Sequence, residues 1–141
     1  MNAQQLFDAW VQAVLVKDTD AMADLYCEDG EHHFSFRDGA PFIKGREAIR
    51  AHLAATFGAS PFTFQRLSAC TVHRTTDPDT IIVECTFEGA APGGAPFNPS
   101  YVEVLTARDG RIARVRDYEN LAYRAGRQTP AADAAPAAPS A

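Results

Sequence analysis

Residues Ser100 to Asn120 read SYVEVLTARDGRIARVRDYEN, and the fold class is decided there. Ser100–Ala107 has the β-branched, apolar character of a strand, with Glu103 interrupting the run Tyr101-Val102-Glu103-Val104-Leu105. Asp109-Gly110 is the dipeptide of a tight hairpin turn, and Arg111–Asn120 is the returning strand. In that strand Ala113, Val115 and Asp117 share one face, while Arg114, Arg116 and Tyr118 share the other. The small apolar residues mark the first face as inward. Asp117 is thus aimed at the concave side of a sheet.

Towards the N-terminus the same period gives two more long strands, Phe62–Arg74 and Thr80–Glu88. A loop rich in Gly, Ala and Pro, Gly89–Pro99, joins the second of them to Ser100. Before Phe62 the period is helical. Leu6, Phe7, Trp10, Val11, Val14 and Leu15 form one apolar face, and the helix stops near Lys17-Asp18. Thr19 is the expected N-cap of a short second helix, Asp20–Tyr26. Cys27–Gly30 is expected as a turn. Glu31–Phe36 follows as a strand with His32, Phe34 and Phe36 on one face. After a turn at Asp38–Pro41, Lys44–Glu47 opens a third helix. Its inner stripe is Ile49, His52, Leu53, Thr56 and Phe57, and Gly58 and Pro61 end it.

Helices first and a meander of strands afterwards imply α+β: a cone-shaped, curved antiparallel sheet wrapped around N-terminal helices, enclosing an apolar pocket. Residues 1–126 form one domain. The remainder, 127–141, is almost all Ala and Pro and is expected to be a disordered tail.

Composition narrows the function classes. A net charge of -5 and a pI near 5.2 argue against a nucleic-acid surface, which needs a concentrated basic patch. No apolar run approaches the roughly 20 residues of a membrane span, and the N-terminus reads as an amphipathic helix rather than a leader. Cys27, Cys70 and Cys85 have no paired spacing; two lie in apolar strand patterns and are expected as buried thiols in a reducing, cytoplasmic setting. His32 and His33 are adjacent on a strand, point to opposite faces and cannot share an ion, so no metal is expected. No phosphate loop, nucleotide fingerprint or nucleophile elbow occurs, and no cofactor is expected.

Two residues stand out against their surroundings. His52 sits in the apolar stripe of the third helix, either as a satisfied core histidine or as a general acid or base. Thr56, one turn later, could share a hydrogen-bond network with it. Asp117 is either a carboxylate in a poorly solvated pocket or a hydrated one at the pocket mouth. Glu84 and Glu103 each interrupt an apolar strand, and each could face the cavity or the outer sheet face. Two inward carboxylates would split their pKa values.

Three segments carry a family likeness. They are Tyr26-Cys27-Glu28-Asp29-Gly30, Gly45-Arg46-Glu47-Ala48-Ile49, and Asp109-Gly110-Arg111-Ile112 with Arg116-Asp117-Tyr118-Glu119-Asn120. Together they resemble the SnoaL-like branch of the nuclear-transport-factor-2-like superfamily over Leu6–Tyr123. Within it the pattern is most similar to the phenazine-biosynthesis A/B proteins, homodimers that act on a cyclohexenone-type intermediate. Their histidine, hydroxyl residue and strand acid match His52, Thr56 and Asp117; they carry serine and glutamate at the last two positions, and Val83-Glu84-Cys85 also matches. Aspartate for glutamate withdraws the carboxylate by about 1.5 Å. Limonene epoxide hydrolases are similar at Arg116-Asp117-Tyr118 and Glu84, but their bridging arginine falls on Ile82. The base and tyrosine of ketosteroid isomerase fall on Phe34 and Trp10, so that mechanism is missing.

The resemblance implies a small cofactor-free biosynthetic enzyme doing proton transfer beside a carbonyl of a hydrophobic cyclic metabolite, and so an isomerase, cyclase or condensing enzyme. Asp117, His52 and Glu84 would be catalytic. Trp10, Val14, His32, Phe34, Phe36, Thr56 and Glu103 would line the substrate site. A homodimer would form through the outer sheet face. The competing readings are an epoxide-hydrolase-like enzyme, a binding protein of the same fold without catalysis, or a protein-interaction module using that outer face.

Overall fold

The structure is a computed structural model that describes residues 1–128. Helix α1 (Ala3–Leu15) starts at a reciprocal cap: Asn2 Oδ1 accepts from the Gln5 amide and Gln5 Oε1 from the Asn2 amide, both at 2.9 Å. Its buried stripe includes Leu6, Phe7, Trp10, Val11 and Val14. Helix α2 spans Thr19–Asp24, and its N-cap is Asp18 rather than Thr19, because the Asp18 carboxylate accepts the Ala21 amide at 2.9 Å. Helix α3 (Arg46–Leu53) runs on into a π-helical turn, Ala54–Gly58. Arg50 on α3 pairs with Asp20 and Asp24 of α2, clamping the two helices together.

The strands are β1 (Tyr26–Phe34), β2 (Phe42–Lys44), β3 (Thr63–Arg74), β4 (Thr80–Ala90), β5 (Pro96–Phe97), β6 (Ser100–Arg108) and β7 (Arg111–Glu119). They make one sheet in the order β2-β1-β7-β6-β4-β3, with β5 paired to β4. The expected α+β architecture of helices against a curled sheet is present. The sheet is mixed rather than antiparallel, however, because β1 runs parallel to β7. The chain reaches β1 from α2 and lies alongside the last strand, a long-range pairing with no local sequence signal. Asp109 (φ 52) and Gly110 (φ 73) both take the left-handed conformation that a two-residue hairpin turn demands. At Gly89 a Cβ would lie 2.0 Å from the Thr63 carbonyl oxygen, so only glycine lets β3 and β4 approach closely there.

Several boundaries differ from expectation. Cys27–Gly30 belongs to β1 as an irregular stretch: the register with β7 shifts between Tyr26 and Glu31. Phe36 lies past the end of β1 and is 66% exposed. The Gly89–Pro99 loop contains β5. A fourth helix, α4 (Leu121–Gln128), follows β7 and continues two residues into the segment expected as tail; residues 129–141 lie outside the described residues. Cys27 and Cys85 are buried, whereas Cys70 is exposed on the edge strand β3. Among the described residues no helix is long and apolar enough to cross a membrane.

The core fills the space between α1 and the concave sheet face, with Phe7, Tyr26, Ile49, Val83, Leu105, Ile112 and Val115 almost wholly buried. A second cluster of Phe62, Ala91 and Phe97 lies at the far end, with Tyr123 of α4 stacked on Phe97 at 5.5 Å. Between the two clusters the packing leaves a cavity.

Candidate active site

The cavity holds about 390 Å³, a size that suits a one- or two-ring metabolite. Its apolar walls come from Trp10 and Val14 of α1, Phe34 of β1, Leu53 of α3, and Phe64 and Phe87 of β3 and β4. Its polar groups come mainly from neighbouring strands. Glu103 on β6 and Asp117 on β7 are directly opposite one another in the antiparallel register, so both carboxyls project from the same patch of wall. His32 on β1 stands on the other side of Asp117, with Nε2 at 3.9 Å from Asp117 Oδ2.

Burial sets the chemistry of this cluster. Glu103 is 7% exposed. Loss of solvent, reinforced by the nearby Asp117 charge, pushes its pKa up to about 8, so at neutral pH it is mainly an undissociated acid. Asp117 Oδ1 is buried and has no hydrogen-bond partner among the described residues. An unpartnered buried carboxylate oxygen is costly, and its place in a cavity wall leaves it available to a bound molecule. Tyr26 lies in the core, and its hydroxyl meets His32 Nδ1 at 2.7 Å. Burial raises the Tyr26 pKa well above the normal phenol value, so the phenol keeps its proton and can donate it to Nδ1. In that tautomer the His32 hydrogen sits on Nε2 and faces Asp117.

His52 lines the cavity from α3, half-buried, with its ring 5.2 Å from that of Phe34. Burial, followed by the charges of His32 and Arg37, lowers its pKa and favours the neutral imidazole. The imidazole that approaches Asp117 is that of His32 rather than His52. Thr56 is at the cavity rim, but its hydroxyl donates to the His52 carbonyl oxygen at 2.7 Å, within its own helix and away from the imidazole.

The structure brings Trp10, Val14, His32, Phe34, His52, Thr56, Glu103 and Asp117 around one cavity. Two expected site residues are corrected. Glu84 projects from the outer sheet face, its carboxylate 61% exposed and bound to His73 at 2.7 Å. Alternation explains it: Val83 and Cys85 take the buried positions on β4, which turns Glu84 outward. Phe36 lies outside the cavity, edge-on to Tyr118 at 5.0 Å, because β1 ends two residues before it.

Sequence reasoning missed three groups. Tyr26 falls at the end of an expected helix, where no site residue is anticipated. Tyr101 reads from the sequence only as a strand residue; it lines the cavity and its hydroxyl accepts from Arg124 Nη2 at 2.7 Å. Arg37, Glu119 and Arg124 form a charged cluster at one end of the cavity. The Glu119 carboxylate is held by Arg37 at 3.3 Å and Arg124 at 3.0 Å. The alternation of β7 places Glu119 on the face of Asp117, a signal that was legible; Arg124 depends on α4, which was not. Among the described residues no group of three or more His, Cys, Asp or Glu side chains is arranged to hold a metal ion.

Comparison with known proteins gives a consistent placement. The family model of the SnoaL-like domain matches residues 5–115. A PhzA/B-like protein of Pseudomonas aeruginosa, itself uncharacterised, is 28% identical over 123 residues, covering 85% of each chain. A crystal structure of a proposed isomerase from Bacillus subtilis superposes with a TM-score of 0.76 at 30% identity, over 86% of this chain and 88% of that one. A proposed polyketide cyclase from Xanthomonas campestris pv. campestris shares the fold, with a TM-score of 0.72 at 23% identity over 90% and 96% of the two chains.

Proposed function

We propose that this chain, which belongs to the SnoaL-like domain family, is an isomerase- or cyclase-type enzyme that transfers a proton beside the carbonyl of a hydrophobic cyclic metabolite. The observation that carries this reading is Asp117 Oδ1, a buried carboxylate oxygen in the cavity wall with no partner among the described residues. The neighbouring Glu103 supplies the complementary neutral acid. A buried acid that keeps its proton beside an unpartnered carboxyl oxygen is an arrangement suited to acid–base chemistry at neutral pH.

In the proposed step Asp117 removes a proton from the carbon next to the carbonyl. The C–H electron pair moves into the enolate, and the Glu103 O–H donates a hydrogen bond to its oxygen. Asp117 then returns the proton to another carbon, which isomerises the substrate, or the enolate carbon adds to a second carbonyl of the same molecule, whose C=O π pair becomes an alkoxide that takes the proton back from Asp117, which closes a ring. His32, oriented by Tyr26, stabilises the Asp117 charge between turnovers. His52 stays neutral at the cavity wall and orients the ring against Phe34. The likeness to the proposed isomerase from Bacillus subtilis supports an isomerase- or cyclase-type role.

The outer sheet face supports a homodimer. Ile82, Val102 and Val104 form an apolar strip there, with Phe36 and Tyr118 alongside, and Val102 is 37% exposed. A second copy would cover it.

The test of the reaction is solvent-deuterium incorporation into 1-tetralone, a two-ring ketone with acidic hydrogens only beside its carbonyl. The protein should accelerate exchange, and Asp117→Asn should reduce the acceleration by about a hundredfold or more. Exchange that is equal with and without Asp117 overturns the assignment.

A further inference from the structure

We infer that the Arg37–Arg124 end of the cavity is a carboxylate-binding subsite and that the substrate is a keto acid carrying one anionic group. The inference deepens the proposed function and rests on that reading of the cavity. Both guanidinium groups line the cavity, and among the described residues the only carboxylate that either meets is that of Glu119, which they share. Glu119 is itself nearly buried, its side chain 9% exposed. One negative charge between two positive ones leaves one positive charge facing the cavity.

Donor capacity leads to the same conclusion. Arg124 commits Nε to Glu119 and Nη2 to the Tyr101 hydroxyl, which leaves the Nη1 hydrogens free among the described residues. Arg37 commits Nη2 to Glu119, and its guanidinium lies over the Phe34 ring with its carbon 4.2 Å from the ring centroid. Its Nε and Nη1 hydrogens remain. Guanidinium hydrogens in a partly enclosed site match a carboxylate in shape and charge, and a neutral ketone would leave them unpaired.

Spacing connects this end to the chemistry. Asp117 and Glu119 are alternate residues on one face of β7, so their side chains leave the strand about 7 Å apart. A molecule with its carboxylate at the arginines therefore places a carbon about one ring-width away beside Asp117. Burial keeps Glu103 largely neutral and Glu119 is already paired, so the carboxylate of the wall that opposes a bound anion is that of Asp117, about 7 Å along the strand from the arginine end.

The probes are benzoate and benzamide, nearly equal in shape and different in charge, titrated into the full chain by calorimetry. Benzoate should bind at least about tenfold more tightly, the scale of one charge-assisted hydrogen-bond pair. Arg37→Gln, at a side chain that is 41% exposed, should remove most of that preference. Asp117→Asn should keep the preference for benzoate, or increase it, while abolishing deuterium exchange into 1-tetralone. Benzoate binding no better than benzamide, including no binding of either up to about 10 mM, overturns the subsite. A preference that survives both Arg37→Gln and Arg124→Gln overturns it too. Neither result alters the exchange assay, so the subsite and the acid–base reading fail separately.

Discussion

Replacing Glu103 by glutamine should remove a specific pH dependence from the stability of the fold. In the unfolded chain Glu103 ionises near the ordinary glutamate value of 4.5; in the fold it holds its proton up to about 8. Between these pH values the folded state binds one more proton than the unfolded state, so stability falls as pH rises through the window. Below 4.5 both states are protonated and the effect vanishes; above 8 both are ionised and no further loss accrues. At about 1.4 kcal/mol per pH unit the full loss is on the order of 5 kcal/mol, a large part of the stability of a small domain. The glutamine introduced by Glu103→Gln is neutral at every pH and nearly the same shape. Urea denaturation at a series of pH values, run in parallel on wild type and Glu103→Gln, isolates the contribution, because groups remote from Glu103 cancel in the difference. The variant should gain on the wild type steadily between about pH 4.5 and 8, and hold a constant margin above that. Parallel profiles across the whole window would refute the buried neutral acid.

The same proton should appear in catalysis. Exchange into 1-tetralone should lose rate as pH rises through about 8, where Glu103 ionises, and this alkaline limb should be missing in Glu103→Gln. Tyr26→Phe deletes the hydroxyl bonded to His32 and should cost about 1–3 kcal/mol in stability by leaving Nδ1 unpaired in the core; nitrogen NMR of His32 should show loss of the single fixed tautomer, a readout that a purely structural role for Tyr26 would not move. Val102→Asp places a charge in the apolar outer strip and should convert a dimer to monomers in analytical ultracentrifugation, whereas unchanged sedimentation would count against that face as the interface.

Much of this arrangement was legible in the sequence because its signals are local. The period-two alternation of β7 fixed the inward face of Asp117, and the helical stripe of α3 directed His52 to the cavity. What was not legible depends on contacts between distant segments. The parallel pairing of β1 with β7, which carries His32 to Asp117, has no turn or spacing that announces it. Glu84 and Glu103 look alike as single charges in apolar strands. In β4 three successive apolar residues, Ile81, Ile82 and Val83, obscure the alternation, and only the sheet decides that Ile81 and Val83 are the buried ones. Helix α4 carries Gly126 and few strongly apolar residues, and it is held mainly by Tyr123 and Arg124 docking on the far end of the cavity. Its pattern alone is too weak to predict it.

The central claim is that the unpartnered oxygen of Asp117 is the base, and a crystal structure with 1-tetralone bound tests it most directly. The predicted complex has the ketone inside the cavity, its α-carbon about 3–3.5 Å from Asp117 Oδ1 and its carbonyl oxygen within hydrogen-bond reach of Glu103. A ketone seated in the cavity with its α-carbon turned away from Asp117, and its carbonyl directed to the arginine end, would contradict it.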